Sequence, residues 1–266
     1  MSNAQFSHQI LTRTGETRTQ LRPTHALIAP DGNVPTQLPG WSGCTSVILI
    51  SPQMGARFCQ YRISLADGAT SGPPLPGVER FVYVLSGTVA LEAGGTAGSG
   101  ASHSLTASGY AWLPPDTPHT IRGTGEAVIT VVERRYLEVP GVSAPPVVVG
   151  NARDLVGEAF LGDENLTVRK LLPDEPAFDM AMNTMTFRPG TPLPFVETHF
   201  MEHGLVMLAG GGIYRLDNQW YPVTAEDVIW MGPYCPQWFA AVGREEAAYL
   251  LYKEANRDPF RFERES

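Results

Sequence analysis

Phe81-Val82-Tyr83-Val84-Leu85-Ser86-Gly87 runs into Thr88-Val89-Ala90-Leu91. The pattern returns as His203-Gly204-Leu205-Val206-Met207-Leu208-Ala209-Gly210, running into Gly212-Ile213-Tyr214-Arg215-Leu216. Each copy is a strand-sized apolar run, a glycine turn and a second run, which reads as a hairpin. Each continues to an aromatic strand and a proline cluster. These are Trp112-Leu113-Pro114-Pro115-Asp116-Thr117-Pro118-His119 and Trp230-Met231-Gly232-Pro233-Tyr234-Cys235-Pro236-Gln237. Each closes on an apolar strand ending in basic residues, Val131-Val132-Glu133-Arg134-Arg135 and Leu250-Leu251-Tyr252-Lys253. Equivalent residues lie about 120 apart, too far for a solenoid repeat, so the sequence reads as one β-domain written twice.

The rest of the chain is of the same kind. Phe58 to Leu65 and Met180 to Phe187 alternate with period two, and Arg80 to Leu85 does so roughly, as half-buried strands do. The 27 glycines and 23 prolines are spread throughout, which suits many turns between short strands. The one helix candidate is Ala152 to Phe160, with Asn151 as N-cap. The expected fold is therefore all-β. Its parts are an arm (1–25), a first barrel (26–140), a linker (141–165), a second barrel (166–258) and a tail (259–266).

Charge and composition exclude several functions. Nineteen basic against 27 acidic residues give a net charge of −8. A nucleic-acid partner needs a basic face to displace counterions, and anionic lipid needs one too, so neither is expected. No apolar run reaches the roughly 18 residues of a membrane span. The start, Met1 to His8, has no basic stretch followed by an apolar one, so no secretory signal is expected. Cys44, Cys59 and Cys235 are odd in number and far apart, which favours a reducing, cytoplasmic setting.

The chemistry concentrates in Glu197-Thr198-His199-Phe200-Met201-Glu202-His203. On a strand, residues 197, 199 and 203 share one face, and alternate residues of a barrel strand face the lumen. Glu202 has the opposite parity. Gln237 ends the second proline cluster. Two imidazoles, a carboxylate and an amide oxygen, with no thiolate, form a donor set that favours Mn²⁺, and after it Fe²⁺ or Mg²⁺, over a closed structural zinc site. Tyr249 and Lys253 share parity on the last strand, and Tyr214 lies on the strand after Gly210. The first half offers only Glu79 and His119, too few for a tight metal site.

The stretch from Gly190 through Glu197, His199 and His203 to Gly210 resembles the first cupin motif, and Glu226 to Gln237 resembles the second. The resemblance covers nearly the whole chain and implies a bicupin, two tandem jelly-roll β-barrels. Glu197 stands where the first histidine is usual, His203 replaces the usual glutamate, and Gln237 takes the distal ligand place. That pattern is similar to the (S)-ureidoglycine aminohydrolases. So are Phe178-Asp179-Met180, Glu202-His203-Gly204, Tyr214-Arg215-Leu216-Asp217-Asn218, Trp220 and Asn256-Arg257-Asp258. The resemblance implies Mn²⁺ on Glu197, His199, His203 and Gln237. It implies substrate contacts from Tyr214, Tyr249 and Lys253, and catalytic parts for Lys253 and Glu197. The implied reaction is hydrolysis of (S)-ureidoglycine to (S)-ureidoglycolate and ammonia in purine breakdown through allantoin and allantoate. It also implies a homo-oligomer. Two alternatives stay open: another metal-dependent cupin enzyme, such as a dioxygenase or isomerase, and a non-enzymatic bicupin that binds a small molecule.

Overall fold

The structure is a computed structural model and describes residues 17–94 and 100–260. Of the expected arm and tail, residues 1–16 and 261–266 lie outside the described residues. The described chain is all-β, twenty strands and three short 3-10 turns. Eight strands from Ser42–Ile50 to Ala127–Arg135 build the first barrel. Eight more, from Asp163–Lys170 to Ala247–Glu254, build the second in the same order.

Both copies of the opening motif form the expected hairpin. Val78–Ser86 turns at Gly87 into Thr88–Ala93, and His203–Ala209 turns at Gly210 into Gly211–Leu216. The two glycines have φ of 78° and 63°. A Cβ on Gly210 would collide with the backbone of Glu246 and stand 2.8 Å from the Cα of Ala247. Left-handed backbone and close approach both demand glycine there. Gly210→Ala is expected to cost on the order of 2 kcal/mol, seen as a lowered melting temperature.

The barrels exchange their leading strands. His25–Ile28 precedes the first barrel but pairs with Val228–Met231 of the second sheet. Val148–Asn151, at the equivalent place before the second barrel, pairs with Gly109–Leu113 of the first. The stretch 141–165 therefore contributes to both sheets, because Glu158–Phe160 pairs with Asp163–Lys170. Helix is absent from 152–160. Asn151 does cap a turn, accepting the Arg153 N–H at 3.0 Å, but the turn is one 3-10 turn, Ala152–Asp154. Beyond it the chain is drawn into strand pairing, and tertiary context overrides the weak local preference.

Three apolar clusters follow from this architecture. One fills the first lumen around Ile63, Val82, Leu91 and Ile129. One fills the second around Leu205, Phe187, Phe239 and Ile229. The third lies between the barrels, with Phe58, Trp112, Phe178, Trp230 and Tyr252. Strands beside that seam are buried on both faces. In Val78–Ser86, Val82 and Val84 face the lumen while Phe81 and Tyr83 face the other barrel.

Candidate metal centre and active site

His203 is the first residue of its strand and stands opposite Lys253 on one neighbour and Met231 on the other. Gln237 is the first residue of Gln237–Ala241. Residues 198 to 202 are not a continuous strand, so shared parity along one strand is not what gathers the cluster. Backbone pairing does it instead. Glu197 and Gln237 exchange N–H···O bonds of 2.8 and 2.9 Å, and the Tyr234 N–H donates to the His199 carbonyl at 2.7 Å. These bonds bend the segment over the barrel end and bring the His199 and His203 rings to 4.8 Å between centroids.

The protonation pattern is set by the surroundings. His199 Nδ1 donates to the Met201 carbonyl at 3.1 Å, which leaves the Nε2 lone pair directed inward. Such an outer bond fixes the tautomer of a metal-binding imidazole. His203 is fully buried and its Nε2 has no hydrogen-bond partner. Burial, then the charge of His199 and of Lys253, hold His203 well below its ordinary pKa. Burial and Lys253 lower His199 as well. Both imidazoles are therefore neutral near pH 7, the form that ligates. Gln237 Nε2 lies 3.2 Å from His199 Nε2, and its Oε1 is buried without a partner. Burial raises the Glu197 carboxyl, while the Lys253 ammonium acts against that rise.

Two buried donor atoms without partners, beside a third lone pair, are costly unless something binds them. The donor set fits a hard divalent cation. Among the described residues, no three His, Cys, Asp or Glu side chains converge closely enough by themselves to hold one. The set is two imidazoles and an amide, with the Glu197 carboxylate beside them. The tyrosines lie deeper. Tyr214 pairs with Phe239, two residues along from Gln237, and packs on its ring at 5.4 Å. Tyr249 lies four residues along from Lys253, roughly 13 Å at strand spacing. Its hydroxyl donates to the Met185 sulfur at 3.2 Å.

The first barrel carries a different device at the same place. Counting back from Gly87 and Gly210, the equivalent of His203 is Arg80, one residue on from Glu79. Arg80 stands opposite Leu113 and Glu133 as His203 stands opposite Met231 and Lys253. Its guanidinium is buried and bonded to Glu133 (Nε, 2.7 Å), the Gly72 carbonyl (2.9 Å) and His119 Nε2 (2.8 Å). His119 matches Gln237. Glu79 instead points into the seam, where Trp112 Nε1 donates to it at 2.7 Å. Glu202 is its counterpart, facing Trp230 Nε1 at 3.4 Å.

His119 gives a pH-dependent element. Burial and the Arg80 charge lower it to about 4. A base depressed when folded adds stability above its unfolded value, near 6.5, and that stability is lost as pH falls towards 4. The loss is expected to be on the order of 2 kcal/mol. His119→Gln keeps an acceptor for Arg80 and removes this part of the slope, measurable by denaturation between pH 7 and 4.

No family model matches the chain. An (S)-ureidoglycine aminohydrolase of Arabidopsis thaliana is 40% identical over 250 residues, covering 92% of this chain and 80% of the relative. The Escherichia coli protein of that name is 38% identical over 238 residues, 88% of this chain and 89% of the relative. The crystal structure of the E. coli protein Ylba superposes with a TM-score of 0.80 at 34% identity, over 91% of this chain and 96% of that one. Bacillus subtilis oxalate decarboxylase, described with Mn(II) centres, superposes with a TM-score of 0.66 at 10% identity. That match covers 91% of this chain and 78% of the other, and shows the shared bicupin fold.

Proposed function

The chain belongs to the (S)-ureidoglycine aminohydrolase family and is an enzyme of that kind. On that premise we propose that it hydrolyses (S)-ureidoglycine to (S)-ureidoglycolate and ammonia, in purine breakdown through allantoin and allantoate, with Mn²⁺ in the second barrel. The observation that carries the metal reading is the pair of partnerless buried donors, His203 Nε2 and Gln237 Oε1, beside the inward lone pair of His199. Glu197, His199, His203 and Gln237 are the proposed ligands. A half-turn of the Gln237 amide exchanges its nitrogen for its oxygen on the His199 side. Bound there, the ion supplies a Lewis acid and an anchor for hard oxygen and amine donors.

The remaining work falls to the chain. Lys253, whose charge is felt by Glu197, His199 and His203, meets the substrate carboxylate and stands ready to donate a proton. Glu197, raised by burial, exchanges a proton with the attacking water and the departing amine. Tyr214 and Tyr249 form the inner wall, which keeps bulk water from the reacting carbon. We take the first barrel to hold no ion, since the Arg80 guanidinium stands where His203 stands in the second and repels a cation. We also take the enzyme to be a cytoplasmic homo-oligomer without nucleic-acid or membrane partners. No helix among the described residues is long and apolar enough to cross a membrane.

The test is ammonia release from freshly made ureidoglycine by metal-stripped protein, with and without Mn²⁺. The expected result is Mn²⁺-dependent release with (S)-ureidoglycolate as product, strongly reduced in His199→Ala. Release that ignores Mn²⁺, or oxygen-dependent turnover with Fe²⁺, contradicts the proposal.

A further inference from the structure

The strand end that carries His203 is gripped from the first barrel. Glu202 is fully buried, and its carboxylate accepts the Arg57 backbone N–H at 3.0 and 3.1 Å and Arg57 Nε at 3.3 Å. The same guanidinium reaches Glu254 through Nη2 at 2.5 Å. Glu202 precedes His203 and Glu254 follows Lys253, and those two residues are opposed in register. The Glu254 N–H also donates to the Glu202 carbonyl at 3.2 Å. On the other side of His203, a Cβ on Gly204 would stand 2.6 Å from the Phe58 ring. That ring packs on Tyr252 at 4.2 Å between centroids.

Alternation explains the arrangement. Residues 202 and 204 face the first barrel, so 203 faces the second lumen. Likewise 252 and 254 face the seam, so 253 faces the lumen. One guanidinium from the first barrel thus ties together the two carboxylates that flank an imidazole ligand and an ammonium. We propose that Arg57 is a positioning residue for the site: it sets the separation of His203 and Lys253, and so makes the first barrel part of the active site. This rests on the metal and hydrolase reading above. Without the guanidinium, the carboxylates of Glu202 and Glu254 face each other across the strand pair with no shared cation, and the ends part. Displacements of about 1 Å at a catalytic constellation are worth about 100-fold in rate.

The control is Arg62. It too bridges the barrels, to Glu226 at 2.8 Å, but there the carboxylate is exposed, and neither residue flanks a site side chain. Three quantities are measured on wild type, Arg57→Ala, Arg57→Lys and Arg62→Ala. They are the Mn²⁺ dissociation constant by calorimetry, kcat at saturating Mn²⁺ and substrate, and the melting temperature of metal-stripped protein. Arg57→Ala is expected to weaken Mn²⁺ by about 10- to 100-fold and to lower kcat by a similar factor well below its melting temperature. Arg57→Lys should recover part of both, and Arg62→Ala should match wild type. If Arg57→Ala does not fold, Arg57→Lys decides, with a several-fold deficit in Mn²⁺ affinity expected. Wild-type affinity and kcat in folded Arg57→Ala or Arg57→Lys overturn the proposal. So does an equal deficit in Arg62→Ala at equal melting temperature. If wild type binds Mn²⁺ but releases no ammonia, the hydrolase reading fails, and the affinities still judge Arg57.

Discussion

His203→Ala is expected to abolish Mn²⁺-dependent ammonia release while leaving the fold in place. The imidazole is buried and its Nε2 bonds to nothing in the protein, so its removal breaks no hydrogen bond at that atom. What it removes is an inward lone pair that burial and neighbouring charge keep neutral. Outer partners of metal ligands are worth 10- to 100-fold in metal affinity or activity, and loss of a ligand itself should exceed about 100-fold. Activity assayed with Mn²⁺ in excess, beside thermal melting of the metal-stripped protein, separates the site from the fold. Wild-type turnover in this variant would remove His203 from the site.

Arg134→Met is expected to act on stability instead, and severely. Its side chain is 3% exposed and sits among three buried carboxylates. Glu79 Oε1 is 3.7 Å away, and Asp179 Oδ2 and Glu254 Oε1 are each 3.6 Å away. It also donates to the Tyr252 hydroxyl at 3.0 Å and the Asp179 carbonyl at 3.1 Å. Two barrels meet here, since Glu79 and Arg134 belong to the first and Asp179 and Glu254 to the second. Removing this buried cation takes away the guanidinium that Glu79, Asp179 and Glu254 share, and leaves Arg57 as the cation on Glu254. Breaking such a pair costs about 3–5 kcal/mol, or roughly 10 °C in melting temperature for a chain of this size. Glu79→Gln in the same background should return part of the loss. Burial and the Asp179 charge already raise the Glu79 carboxyl well above its ordinary range, so an amide is a close substitute for it. Calorimetric melting of wild type and the two variants tests the assignment, and an unchanged melting temperature in Arg134→Met would refute it.

Much of this was legible in the sequence because a barrel strand alternates and the barrel is written twice. The glycine hairpins and the proline clusters are local features, and so is the spacing of the proposed ligands Glu197, His199, His203 and Gln237. What was illegible depends on the seam. Arg80 to Leu85 alternates poorly because its outward face is buried as well, against the other barrel. The exchange of His25–Ile28 and Val148–Asn151 is set by tertiary pairing and leaves no local mark. On the first barrel's equivalent strand the acidic candidate Glu79 stands one residue from Arg80, the counterpart of His203, and a one-residue step turns a side chain to the other face. Counting from the paired glycines Gly87 and Gly210 gives the right register. Parity along 197–203 is an incomplete reason for their grouping, because backbone bonds to Gln237 and Tyr234 bend the segment. Arg57 carries no sequence signal, since its meaning comes from Glu202 and Glu254, which lie far along the chain.

On the proposed reading, the second barrel alone holds one catalytic ion on two imidazoles. The most direct measurement is pulsed electron paramagnetic resonance of Mn²⁺-loaded protein with ¹⁵N-labelled histidine, beside the metal content per chain. One ion per chain is expected, coupled to two imidazole nitrogens and falling to one nitrogen in His203→Ala. Two ions per chain, or an ion with no histidine coupling, would contradict it.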